Sequence, residues 1–162
     1  MGKLVARNDK IAFFGVKNGE TETFQRMTNF TALAISKNPK EYTRRYVDEV
    51  YDQTDVTAYS PSIAFTFDQY TTNAVHSDIA SISDEEKVGV DAIRNIILVD
   101  LNSDGTTAGT KKAVKRAFAV VPDTEGGTDS YTIGGNFKTK GSAIAGTVAT
   151  TDDWMTITFT AS

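Results

Sequence analysis

The chain contains no cysteine, which excludes disulfides, thiolate metal sites and thiol nucleophiles together. That lack suits a reducing compartment. It has three prolines, Pro39, Pro61 and Pro122, and each is expected at an element boundary. A single histidine, His76, cannot supply the usual multi-histidine metal site. Long apolar runs are missing as well. The most apolar stretches, Ile11–Val16, Ile93–Val99 and Ala117–Val121, fall far short of a bilayer span. Met1–Lys10 mixes charged and apolar residues without an apolar signal core, and so reads as an intracellular start. Nor is there a basic excess. With 17 Lys and Arg against 21 Asp and Glu, the net charge is −4. A protein that grips nucleic acid by neutralising phosphates is usually basic, so tight DNA binding is not expected.

What is present is β periodicity. Ile63, Phe65 and Phe67 alternate with Ala64 and Thr66, and Met155, Ile157 and Phe159 alternate with Trp154, Thr156, Thr158 and Thr160. Each pattern gives one apolar face and one small or hydroxylated face. Thr28–Ile35, Val114–Val121, Tyr131–Lys138 and Ser142–Thr150 also read as strands. Ile93–Leu101 is apolar on both faces, which places it centrally in a sheet. Lys17-Asn18-Gly19-Glu20 predicts a hairpin turn, and Ser103-Asp104-Gly105 and Glu125-Gly126-Gly127 are further breaks. Gly134-Gly135 inside a strand pattern predicts a bulge or a close backbone approach. Val75, Ile79 and Ile82 share one helical face, with Thr72 or Asn73 as its cap. Ser83 and Glu86 resemble a capping box, but Gly89 follows too soon for a second long helix. These elements predict one domain over 1–162, with one short helix packed across β-sheets.

The constellations that could carry chemistry resolve into ordinary structure. Asp100-x-Asn102-x-Asp104-Gly105 imitates the start of a calcium loop, but Lys111 stands where a bidentate glutamate is required, so a polar turn is favoured. No nucleophile motif surrounds any serine, and His76 is expected on the exposed side of the helix. Asp84-Glu85-Glu86 reads as a solvated stretch. Neither glycine pair precedes a helix or a G-K-[ST] ending, so neither is a phosphate loop. Lys111, Lys112, Lys115 and Arg116 form the one basic cluster. Strand spacing points Lys112 and Arg116 one way and Lys111 and Lys115 the other, which favours a charged sheet edge over a phosphate patch.

The segment Lys37–Glu49 stands apart. It lies between two strand patterns, is charged with both signs, and is interrupted by Tyr42, Tyr46 and Val47. Aromatic anchors with mixed charges suit an arm that docks on a neighbour, and a solvated hairpin remains the other reading. The stretches Met27-Thr28-Asn29-Phe30, Ser36–Glu49, Gln53-Thr54-Asp55-Val56 and Tyr59-Ser60-Pro61-Ser62-Ile63 resemble the phage tail tube (major tail) proteins. The resemblance is to those of long-tailed phages and prophages of Gram-positive bacteria. It runs from Ala6 to about Phe159, is most specific over Met27–Ile63, and after Leu101 rests on the strand pattern alone.

That resemblance implies two packed antiparallel sheets, sandwich- or barrel-like, with one flanking helix and a long charged arm over 37–58. It implies a non-enzymatic virion protein, made in the host cytoplasm, whose copies form hexameric rings stacked into a tube that DNA crosses without tight binding. The implied partners are further copies, a tape measure protein and a tail terminator protein, with no membrane, metal or cofactor. Lys40, Glu41, Tyr42, Arg44, Arg45, Tyr46, Asp48 and Glu49 are the expected inter-subunit contacts, with residues 1–10 as a second arm. Ala64, Thr66, Thr156, Thr158 and Thr160 are candidates for the channel wall, since an uncharged hydroxylated face does not trap phosphate. A monomeric β-sandwich that binds carbohydrate or another ligand is the alternative, although Trp154 is the only tryptophan available to it.

Overall fold

The structure, a computed structural model, describes residues 2–162. Its organising feature is a central layer that is apolar on both faces. In β1 (Lys10–Asn18), Ile11 and Phe13 join one core cluster while Phe14 joins another. Successive side chains point to opposite faces, so a strand with apolar residues at both parities must be covered twice. β1 turns at Gly19-Glu20 into β2 (Thr21–Arg26), with Asn18 opposite Thr21 and Gly19 at a φ of +68° that glycine adopts without steric cost.

After β3 (Phe30–Ser36), β4 (Pro39–Arg44), β5 (Gln53–Tyr59) and β6 (Ser62–Asp68) comes the one α-helix among the described residues, α1 (Ala74–Asp84). Asn73 caps it as expected, its Oδ1 accepting from the N–H groups of Val75 and His76. The strand expected to be central, β7 (Ile93–Asp104), pairs with β1 on one side and β8 (Lys111–Gly126) on the other. Three strands close the chain: β9 (Thr132–Thr139), β10 (Ile144–Ala149) and β11 (Thr156–Ala161).

The 16-residue β8 decides the topology. Its first half pairs with β10 and its second half with β9. Strands β10, β11, β2, β1, β7 and β8 therefore close into a ring, while β9, β6 and β3 branch off as an open extension. The ring's narrowest seam is β11–β2, which has two residue pairs, Thr156–Gln25 and Ile157–Phe24. The extension folds back over the central layer. Ile63, Phe65, Phe67, Ile133 and Phe137 meet Phe14, Ile96, Phe118 and Val120, with α1 completing the cluster through Val75, Ile79 and Ile82. On the other side, Ile11, Phe13, Ile97, Val99 and Ala113 meet Val148 and Ile157 inside the ring. The expected mainly-β architecture of packed antiparallel layers with one flanking helix is thus the one adopted, and the layers belong to one continuous nine-stranded sheet.

Several local expectations are corrected. His76 is fully buried, because the helix is covered on that face by Phe30, Phe67 and Tyr70. The basic cluster is not an edge, since Lys111–Lys115 pair with β7 on one side and with β10 on the other. The two-way split does hold. Lys115 Nζ lies 5.6 Å and 5.4 Å from the centres of the Phe24 and Phe159 rings, on the ring-interior parity with Ala113. Pro122 lies inside β8 rather than at its end. A register shift between Pro122 and Thr124 supplies the bulge that a residue without an N–H requires. Opposite it, a Cβ on Gly135 would collide with the Val121 carbonyl oxygen, so the predicted close backbone approach is present. The alternation expected through Met155 breaks at a turn where Asp153 and Trp154 both have positive φ. Met155 is left half exposed, and Trp154 packs against the ring-interior cluster.

Candidate assembly surface

The charged segment is a hairpin. Strands β4 and β5 form their own two-stranded sheet, hydrogen-bonded to no strand of the main sheet. The base is closed by Ser60 N–H donating to the Lys37 carbonyl at 3.3 Å and Asn38 Nδ2 donating to the Ser60 carbonyl at 3.0 Å. Asn38 has a φ of +47°, a conformation that asparagine tolerates better than most residues. The strand pairs run from Pro39–Tyr59 to Arg44–Gln53, with a bulge between Lys40 and Glu41. Thr43 and Thr54 share a cross-strand hydroxyl contact of 3.0 Å.

Arg44 organises the distal half. Its Nη1 lies 2.5 Å from Asp55 Oδ2, and its Nε donates to the Tyr46 hydroxyl at 3.2 Å. Its guanidinium centre stands 5.1 Å from the Tyr42 ring centre and 5.5 Å from that of Tyr46. The Tyr46 hydroxyl first, and then the Asp55 carboxylate, raise its pKa above the ordinary arginine value. Of the residues expected to make contacts, Lys40, Glu41, Tyr42 and Arg44 lie on β4. Arg45, Tyr46, Asp48 and Glu49 lie in the connection to β5. All are exposed except Arg44, which is half buried by its own neighbours. Sequence reasoning missed the partner strand. Gln53–Tyr59 is rich in β-formers, Thr54, Val56, Thr57 and Tyr59, but they fall on both faces and give no apolar side. It also missed Val50 and Tyr51, each 79% exposed at the tip.

The second expected arm is partly held. Arg7–Asp9 form a short 3-10 turn, and Arg7 donates to the Lys10 carbonyl at 2.8 Å and the Leu33 carbonyl at 3.2 Å. Leu4 is nearly fully exposed, and Met1 lies outside the described residues.

The wall candidates separate. Ala64 and Thr66 lie on the solvent face of β6, opposite Ile63, Phe65 and Phe67. Thr156, Thr158 and Thr160 lie on the outer face of β11, opposite Ile157 and Phe159. Two core clusters and the central layer stand between these faces, so they are opposite sides of the molecule. Across β3, β6 and β9 the first face continues through Ala32, Ala34 and Asn136, with Asp68 and Lys138 at its two ends. It ends at β3, which has no further strand partner among the described residues and whose sequence Phe30–Ser36 contains no charge.

His76, Asp100 and Asp104 are held by partners within the subunit. Tyr70 N–H donates to His76 Nδ1 at 3.0 Å, and His76 Nε2 lies 2.9 Å from the Thr28 carbonyl, so that nitrogen carries the proton. Asp100 accepts from Asn102 N–H and the Ser103 hydroxyl, both at 3.0 Å, and pairs with Lys10 at 3.5 Å. Asp104 is paired with Lys111. Among the described residues no group of three or more His, Asp or Glu is placed to hold a metal ion, and no helix is long and apolar enough to cross a membrane.

No family model matches the chain, and no curated protein matches it. Seven chains of solved structures do. One belongs to the cryo-EM structure of the anti-feeding prophage baseplate, 6-fold symmetrised. It is 8% identical, with a TM-score of 0.46, over 90% of this chain and 97% of that one.

Proposed function

We propose that this chain is a structural virion protein of a long-tailed phage or prophage. Its copies close into hexameric rings and stack as the tail tube through which DNA leaves, and its role is assembly rather than catalysis. The observation that carries this reading is the β4–β5 hairpin. It projects as a separate sheet and exposes seven large side chains from Tyr42 to Tyr59. An isolated two-stranded hairpin is marginal in water, and exposed apolar surface at this density is characteristic of a contact site. The edge of β3, which has no strand partner among the described residues and no charged residue of its own, supports the same reading, because such an edge templates pairing with another chain unless it is covered. Joining sheets through β3 makes the Ala64–Thr66 face the lumen wall and leaves the threonine face of β11 outside. Tape measure and terminator proteins are the partners that such a tube requires.

The test is assembly of purified protein. The double variant Val50→Ser/Tyr51→Ser leaves the Arg44 clamp intact and is expected to block polymerisation while the melting temperature stays within about 2 °C of wild type. Polymers of normal length from that variant, seen by electron microscopy, would remove the hairpin from the assembly contact. Substituting Lys for Ala34 and Ala64 is expected to leave tube formation possible but to make the tubes retain DNA in a salt-dependent manner.

A further inference from the structure

Beside the hairpin's base lies an apolar groove of about 930 Å³. Its floor is built from Leu33, Ile35, Ile63, Leu98 and Val114, of which Ile35 and Val114 are nearly half exposed. A recess of about 430 Å³ continues it, sharing Lys37, Leu98 and Val114 and adding Arg116 and Tyr59. The rim is basic. Arg7, Lys37, Lys112 and Arg116 border the groove or its recess and form no ion pair among the described residues. The Lys10–Asp100 pair beside them is internally neutral. Arg116 Nε is buried with no hydrogen-bond partner in the subunit, so something further is needed to satisfy it. An apolar floor with unpaired cations in a protein of net charge −4 calls for an occupant that is both apolar and acidic.

The hairpin tip has that composition. Residues 45–52 hold three carboxylates, Asp48, Glu49 and Asp52, against the single Arg45, a net of −2. The same eight residues expose Val47 completely and Val50 and Tyr51 by 79% each. Two other segments expose apolar side chains. Leu4 and Val5 carry Lys3 and Arg7 and mismatch the rim. Val88 and Val90 stand among carboxylates but beside and within the short 3-10 turn Gly89–Ala92, which is anchored by buried Ala92 and does not project as the hairpin does. A tip cannot fill its own groove. Lys37 and Tyr59 line the groove at the hairpin's base, and six residues of strand carry the tip about 20 Å away.

We infer that the tip of one copy, Val47–Asp52, seats in the groove of the next, with its carboxylates on Lys37, Lys112 and Arg116 and with Val50 and Tyr51 on the Leu98–Val114 floor. Tip and groove are different surfaces, so the contact is heterologous and propagates from copy to copy instead of closing a two-fold dimer. The inference rests on the reading of the hairpin as an intermolecular element, and adds which surface receives it.

The absence of cysteine makes the test direct. The double variant Val50→Cys/Val114→Cys, oxidised over a concentration series, is expected to give a ladder of disulfide-linked dimers, trimers and higher species. Val50→Cys/Val88→Cys, with the second position exposed away from the groove, serves as the control and gives no ladder above background. Reversing Lys37, Lys112 and Arg116 to Glu is expected to lower the ladder yield at least about tenfold, and reversing Asp48, Glu49 and Asp52 to Lys in the same chain to restore it. Ladders equal to the control, or no intermolecular product, overturn the inference. A ladder from Leu4→Cys/Val114→Cys without one from Val50→Cys/Val114→Cys also overturns it, by seating the N-terminal segment there. Tubes that form without the ladder leave the tube reading standing and remove only this contact. A ladder without tubes does the reverse.

Discussion

His76 shows how a single side chain couples the helix to the sheet. Its ring stacks on Phe67 at 4.3 Å, and its two nitrogens satisfy the Tyr70 N–H and the Thr28 carbonyl, so it is held neutral. Burial pushes its pKa below the ordinary histidine value, against smaller opposing contributions from the Thr28 carbonyl and from Asp68. The neutral form is the folded one. Acidification therefore protonates the unfolded chain first, and stability is present above the unfolded pKa and lost as pH falls below about 6.5. The slope is at most about 1.4 kcal/mol per pH unit. No other histidine titrates in that window. Denaturant melts at pH 7.5 and 5.5 should show the loss in the wild type and not in His76→Gln. An equal loss in both would assign it elsewhere.

The buried pair Arg94–Asp78 makes a second prediction at this scale. Arg94 Nε lies 2.8 Å from Asp78 Oδ2, both side chains are under one-tenth exposed, and Arg94 Nη1 also donates to the Asp91 and Ile93 carbonyls at 2.9 Å. Asp78→Ala strands a buried guanidinium and should destabilise the fold by about 3–5 kcal/mol in equilibrium denaturation. Replacing both residues by apolar ones of similar volume should recover much of that loss.

At the scale of the element, the hairpin separates two neighbouring arginines. Arg44 is bound inside it and Arg45 is free. Arg44→Ala is predicted to speed hydrogen exchange at the β4–β5 amides without moving exchange in β7. Arg45→Ala should leave both unchanged. Equal exchange in the two variants would mean that the clamp does not hold the hairpin. This pair also marks where the sequence stops being readable. Alternation at Ile63–Phe67 and the doubly apolar Ile93–Leu101 located strands, because burial writes itself into composition at period two. Asn73 announced the helix by its capping chemistry. The partner strand Gln53–Tyr59 was not recognised, because an element exposed on both faces has no apolar side to alternate. His76 misled for the opposite reason. Polarity suggested solvent, whereas two backbone partners and a phenylalanine face made burial tolerable. Trp154 and Met155 exchanged places because two consecutive positive-φ residues reset the alternation, and nothing in their identities signals that.

At the scale of the molecule, one long strand, β8, joins a closed six-stranded ring to a folded-back extension. That division puts two faces rich in alanine and threonine on opposite sides, an edge at β3 with no strand partner among the described residues, and an acidic apolar tip at a distance from a basic apolar groove. Which face would line the proposed channel could not be read from the sequence, since Thr66 and Thr158 sit in similar alternating patterns. In the proposed ring, repetition of one heterologous contact from copy to copy would cover these surfaces. Negative-stain electron microscopy of the purified protein across a concentration series tests this most directly. The account predicts rings or hollow tubes with a bore wide enough for duplex DNA, increasing with concentration. A uniform particle of one-subunit size at every concentration would contradict it.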